Sequence, residues 1–193
     1  MTRARPWLDS GPTLPPTTAH RSTIRVLPLL CTAAVLLAAC SAGSSPATAP
    51  TTAARAAPID PAGEVLTAYR TMWADLVTAA QTSDFKSPLL AQHATGEALS
   101  LFVQGLARDQ LHGIVTRGVT VHHPSVASLA PVGNPTHATI ADCFDDAHWV
   151  EYKTSGGLAK NTPGGRRTTT AGLVKSSGTW KVSQITVGAT GTC

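Results

Sequence analysis

The chain has no apolar run long enough to cross a bilayer. Its longest, Val26 to Ala39, is broken early by Pro28 and falls short of the ~20 residues a spanning helix needs. There is no Gly-rich phosphate loop, no nucleophile elbow and no HExxH, which removes the motif-borne routes to phosphate binding, hydrolase and zinc-protease chemistry. No segment repeats. Cysteine is confined to Cys31, Cys40, Cys143 and Cys193, without the close spacing a zinc site prefers, and neither metal nor cofactor is expected. Charge is nearly absent as a signal. The formal surplus is +4, from 15 basic and 11 acidic residues, but Arg3, Arg5, Arg21 and Arg25 against Asp9 supply three of those four charges. From Cys40 onward 11 basic residues face 10 acidic ones. The isoelectric point near 9.1 is therefore no evidence of a basic face, and nucleic acid is not an expected partner.

What is present begins with that short apolar run. Arg21 and Arg25 precede it and small residues follow it, the layout of a secretory signal. A buried helix would carry a polar stripe, and this segment is apolar all round. At its end Leu37-Ala38-Ala39-Cys40 resembles the lipobox of bacterial lipoproteins: a branched apolar residue, two small ones, then a cysteine that is diacylated before cleavage in front of it. The resemblance implies that Cys40 becomes a lipidated N-terminus at the outer face of the cell membrane. Two acyl chains anchor stably where one does not. The alternative is ordinary secretion, with Ala38 and Ala39 serving a soluble-secretion peptidase and Cys40 incidental. Residues 1–39 are thus read as a signal peptide behind a Pro- and Thr-rich extension without periodicity, whose first residues belong to a misassigned translation start if the n-region opens just before Arg21.

The same reading sorts the cysteines. Cys31 leaves with the signal and Cys40 takes lipid, so Cys143 and Cys193 remain in an oxidising compartment and are expected to pair; two free thiols are the alternative. Residues 41–57 are nearly all Ser, Ala, Thr, Pro and Gly, a composition that cannot bury enough apolar surface to order itself. Residues 40–58 are therefore a lipidated cysteine with a flexible tether, and residues 59–193 a single domain.

Within that domain, Asp60-Pro61 is an N-cap followed by Pro at the first helical position. Val65, Leu66, Tyr69, Met72, Trp73, Leu76, Val77 and Ala80 recur at helical spacing, predicting an amphipathic helix to about Thr82. Ser87-Pro88 opens a short helix to about His93. Thr95 caps a third, with Leu99, Phe102, Val103, Leu106 and Gln110 on its inner face and His112-Gly113 at its end. Beyond Gly113 the chain turns extended. Strand signals run over 118–129, over 136–153 with a break at Asp145-Asp146, and through a hairpin of 166–175 and 179–187 across Ser176-Ser177-Gly178. Trp180 and Val182 share one parity and Ile185 and Val187 the other, which predicts a bulge near Ser183.

Helices in front of an antiparallel meander predict an α+β fold, with the N-terminal helices packed on a curved antiparallel sheet. The helical opening, Asp142-Cys143, and the hairpin from Gly172-Leu173-Val174-Lys175 to Gly178-Thr179-Trp180-Lys181-Val182 resemble the nuclear transport factor 2 superfamily, the cone-shaped, cystatin-like roll shared with SnoaL-like proteins. More narrowly, Asp142-Cys143, Pro163-Gly164-Gly165-Arg166, Trp180-Lys181-Val182 and Gly191-Thr192-Cys193 are similar to actinobacterial lipoproteins. The resemblance implies a pocket between sheet and helices, in which some superfamily members use an acid-base carboxylate with a Tyr, or His, Asp and Tyr.

Tyr69, Asp142, His148 and Tyr152 are the polar residues expected at such a pocket, with Asp75, His93, Glu97, Asp145 and Asp146 further candidates; none has a spacing that matches a known catalytic set. Asp145-Asp146 with His148 reads as a solvated bulge before it reads as a cation or acid-base site. His122 and His123 would face opposite sides of a strand and cannot share a metal without distortion. Arg166-Arg167 reads as two exposed charges at a hairpin start. Three functions stay open: a non-catalytic binding module for a small apolar ligand or an envelope protein, a pocket enzyme of lyase or isomerase type, or an accessory subunit of an envelope complex.

Overall fold

Asp60 opens the first helix. It is extended, and its carboxylate accepts from the Ala62 N–H at 3.2 Å, satisfying one of the four donors a helix start leaves unpaired. A computed structural model describes residues 60–193; the expected signal peptide, Cys40 and the expected tether lie outside the described residues. The order is α1 (Pro61–Ala80), α2 (Leu90–His93), α3 (Gly96–Leu111), β1 (Ile114–Gly118), β2 (Ser125–Ala130), β3 (His137–Asp145), β4 (Trp149–Lys153), β5 (Arg166–Ser176) and β6 (Thr179–Val187). Helices precede strands and every strand pair is antiparallel. The fold is α+β, as the periodicities predict, and no helix among the described residues is long and apolar enough to cross a membrane.

The strands form two sheets, one of four strands in the order β2-β3-β5-β6 and one of β1 with β4. This corrects the expected single meander. β4 follows β3 after the break at Asp146 but does not fold back on it; it leaves to pair with β1, a strand the sequence reading did not separate from the extended region after Gly113. The crossing depends on Gly118. Its φ is +102°, and a Cβ there would collide with the His148 carbonyl oxygen. Extended pairing over 118–129 is shorter than expected, covering Ser125–Ala130 and an isolated bridge from Val121 to Asp145.

Alternation on the inner face builds the core. On β3, Ala138, Ile140, Asp142 and Phe144 share one face, and their partners on β5 are Leu173, Ala171, Thr169 and Arg167. β6 adds Trp180, Val182 and Val187, with the shift in register between Gly172 and Leu173 leaving Ser183 as the extra residue. The bulge is where the parity switch predicts it. The β5–β6 turn holds Ser177 at φ +51° and Gly178 at +81°, the positive pair that lets a two-residue turn follow the strand twist.

α1 lays Val65, Tyr69, Met72, Trp73 and Leu76 onto this face, and α3 adds Ala98, Phe102 and Leu106. The buried stripe of α3 is rotated from the expected one: Asp109 is buried and Gln110 exposed. One flank of the four-stranded sheet is closed, because the α2–α3 corner donates the Thr95 N–H to the Val182 carbonyl at 2.8 Å. The opposite flank, β2, pairs among the described residues only with β3. Cys143 on β3 is bonded to Cys193 across 50 residues, with Cα atoms 5.9 Å apart, so the C-terminal segment is pinned against the sheet.

Candidate functional site

Asp142 is the polar exception on the inner face of β3. Its parity matches Ile140 and Phe144, so the strand that buries those two must bury the carboxylate as well, and it is 6% exposed. Three donors meet it. The Tyr69 hydroxyl and His122 Nδ1 each lie 2.9 Å from Oδ2, and the His123 backbone N–H donates to Oδ1 at 2.6 Å. His122 Nε2 is in turn 2.8 Å from the Thr120 hydroxyl. Each side chain of the trio is thereby oriented by at least one neighbour.

Burial opposes ionisation of Asp142, but the donors from His122, Tyr69 and the His123 backbone outweigh it and hold the carboxyl below its usual range. Tyr69 moves the other way. Burial first, and the negative charge of Asp142 second, push its phenol well above the ordinary value, so it stays a neutral donor. Aromatic rings fill the space around the trio. Trp73 stacks on Phe144 with centroids 4.5 Å apart, His122 stacks on Phe144 at 5.2 Å, and Trp149 meets Trp73 edge-on at 6.5 Å. Trp73 and Phe144 are 1% and 0% exposed. Neither of the two surface clefts described below touches Tyr69, His122 or Asp142.

Of the four expected pocket residues, Tyr69 and Asp142 come together; His148 and Tyr152 do not join them. His148 is exposed in the turn before β4. Tyr152 sits on β4 with the parity opposite to buried Trp149 and Glu151, under the Arg117 guanidinium at 5.7 Å. Both expectations assumed that β4 continued the main sheet. His122, considered in the sequence only as unable to share a metal with His123, is the third member; the approach of His122 to Asp142, 20 positions away, is invisible before folding. His123 contributes only its backbone and is exposed. Asp75 and His93 pair at 2.7 Å and join α1 to α2, while Glu97 is exposed in the first turn of α3.

Two further corrections concern charge. Asp146 is not a solvated bulge but 1% exposed, and Arg167 is not an exposed charge but 2% exposed. The pairing of Asp145 with Arg166 at the sheet end brings the two residues together, Arg167 Nε lying 3.6 Å from Asp146 Oδ2. Asp146 Oδ1 accepts from the Gly165 N–H at 2.8 Å, and Lys160 reaches buried Glu151 at 2.9 Å. These groups line a cleft of about 370 Å³ together with Trp149, Leu158 and residues 161–164. A second, open groove of about 500 Å³ runs along the start of α1, past Glu64, His93 and Trp180. No group of three His, Cys, Asp or Glu among the described residues is arranged to hold a metal.

No family model and no curated protein matches the chain. Solved structures do. The intermembrane space region of the chloroplast protein ARC6 aligns with a TM-score of 0.56 at 16% identity, over 69% of this chain and all of that one. An NTF2-like protein from Pseudomonas putida KT2440 aligns at 0.37 and 14% identity, over 68% of this chain and 89% of that one. A hexachlorocyclohexane dehydrochlorinase, LinA-type3 from Novosphingobium barchaimii LL02, aligns at 0.35 and 12%, over 63% and 84%. The likeness to the ARC6 region is one of fold, and fold alone does not assign an activity.

Proposed function

We propose that residues 59–193 form a non-catalytic binding domain, carried outside the cell membrane by lipid on Cys40 and the tether that follows it, and that recognition of a small ligand or an envelope protein takes place on its surface rather than inside the cone. The observation that carries this reading is the state of the interior. Where a pocket catalyst would keep a carboxylate facing substrate, Asp142 already accepts three hydrogen bonds under stacked Trp73 and Phe144. A buried network satisfied in this way specifies a core. The Cys143–Cys193 bridge supports an oxidising compartment, and a flexible tether raises the local concentration of the domain for partners in the envelope.

The interior is tested with the apolar dye 8-anilinonaphthalene sulfonate on the folded protein. No dye fluorescence is expected below the unfolding transition; saturable uptake by the native state would contradict the reading. The anchor is tested by Cys40→Ser, which should release the protein from membranes, and persistent association would remove the lipid from the proposal. The specific observation that favours a pocket enzyme is that a Tyr, an Asp and a His do converge. That reading requires the aromatic plug to open, and native dye uptake abolished by substrates would support it.

A further inference from the structure

The two ends of the Cys143–Cys193 bridge stand in different surroundings. Cys143 lies between inward-facing Asp142 and Phe144 on β3, so its side chain is on the outer face of the sheet, where the residue is half-buried; Cys193 is exposed. Arg166 brings its Nε to 3.3 Å from the Cys143 Sγ. The register partner of Arg166 is Asp145, yet Asp145 Oδ1 accepts from the Ala147 N–H at 2.9 Å, and among the described residues no carboxylate pairs with the Arg166 guanidinium. The charged donor is spent on sulfur. A cation beside one sulfur favours that sulfur as the thiolate, and the sulfur that is more stable as a thiolate leaves faster when its partner is attacked.

The bond holds a strap. β6 ends at Val187, paired with Thr169, and residues 188–193 continue along the start of β5 in its place. The Gly188 N–H donates to the Thr168 carbonyl at 2.8 Å, the Gly191 N–H to the Arg166 carbonyl at 2.7 Å, and the Thr168 N–H to the Thr192 hydroxyl at 2.8 Å. The approach is close enough that a Cβ on Gly188 would lie 2.8 Å from the Thr168 hydroxyl. No residue of the strap is buried. A segment held by a few hydrogen bonds and no buried side chain belongs to the low-stability end of a structure and can open alone.

We propose that this bond is a thiol–disulfide exchange site, at which an external dithiol attacks Cys193, Cys143 departs as a thiolate held by Arg166, and the strap 188–193 is released from β5 while the core stays closed. In the first step a thiol that has given its proton to water forms a new bond to the Cys193 sulfur. The Cys143–Cys193 bond breaks, and its electron pair goes to Cys143. In the second step the other thiol of the same dithiol displaces Cys193, so the dithiol is oxidised to its own disulfide and the two cysteines take up two electrons and two protons. Closure of a loop spanning 50 residues favours the bond, so the strap stays closed until a dithiol in excess opens it. Two further groups face Cys143. The pairings of Val121 with Asp145 and of Ser125 with Ala141 set exposed His123 opposite it, adding positive charge when protonated, and Asp145 on the same face of β3 adds negative charge. Of the three, Arg166 alone donates to the sulfur.

The test follows reduction of the oxidised, folded domain by excess dithiothreitol without denaturant, read by alkylation and mass spectrometry. Complete reduction is expected with the wild-type circular dichroism spectrum retained and hydrogen exchange accelerated mainly in residues 166–168 and 188–193. Arg166→Gln should slow the reaction about threefold or more, and Arg166→Lys should restore most of the rate. With glutathione and iodoacetamide present together, the trapped species should carry glutathione on Cys193 and the alkyl group on Cys143. Glutathione on Cys143, a rate unmoved by Arg166→Gln, or reduction that requires denaturant or unfolds the core overturns the proposal. If Arg166→Gln does not fold, the trapping experiment on the unaltered protein decides.

Discussion

Asp142 and Asp146 lie four residues apart, the first on β3 and the second just past its end, and both are almost wholly buried, yet they are buried by different chemistry. Asp142 faces the helices and meets a phenol, an imidazole and a backbone amide, wrapped in rings. Asp146 leaves the strand and meets a guanidinium and the Gly165 amide, beside a second ion pair and an open cleft. Asp142 takes all its described hydrogen bonds inside an aromatic shell, whereas Asp146 combines a backbone hydrogen bond of 2.8 Å with an ionic contact of 3.6 Å at the edge of a cleft. Four residues of chain thus separate a carboxylate enclosed in the interior from one that lines a surface cleft.

The sharpest way to break the comparison is to cut what lies between. Cys143 sits between the two aspartates, and replacing Cys143 and Cys193 by Ser should cost about 4 kcal/mol on the loop-entropy account, measured by urea denaturation. Hydrogen exchange should then speed up around residues 188–193 more than on the inner face of β3; uniform loss of protection would deny that the two regions are separable. Next in size, Asp142→Ala leaves the Tyr69 hydroxyl, His122 and the His123 amide without their acceptor, and about 3 kcal/mol of stability should go. A loss under about 1 kcal/mol would show that the network is not what holds the interior.

The pH dependence carries a sign for each member. Asp142 has a lowered folded pKa, so its contribution is fully present above the unfolded value of about 3.9 and is lost as pH falls through the folded one. Tyr69 has a raised folded pKa; its contribution is intact below about 10 and is lost as pH rises beyond that. Denaturant titrations should show both slopes, and Asp142→Asn should remove the acid one. The smallest effect belongs to the cleft: Lys160→Ala should cost less than about 1 kcal/mol, because its half-exposed ammonium is screened by water. A larger loss would make the Lys160–Glu151 pair a structural element of the rim.

The helices and the last hairpin were legible because their signals are local. Asp60-Pro61, the apolar spacing from Val65 to Ala80, and the parity switch around Ser183 each lie within a few residues of the feature they specify. β1 was not separated, since the five residues Ile114–Gly118 are too few for a period to stand out. What pairing alone decides was hidden. Nothing near Arg167 announces Asp146, and nothing near His122 announces Asp142; both juxtapositions are made by strand register and by the departure of β4 to β1. Of the four polar residues expected at the pocket, Tyr69 and Asp142 therefore supply two of the three members of one cluster and none joins the other, to which only the further candidate Asp146 belongs.

The closed and open flanks of the four-stranded sheet have an outcome for assembly. On the β6 side the Val182 carbonyl is already engaged by the Thr95 N–H, whereas β2 pairs among the described residues only with β3. An unpaired strand edge is a template for another chain, so of the two flanks β2 is the one that offers itself for strand addition.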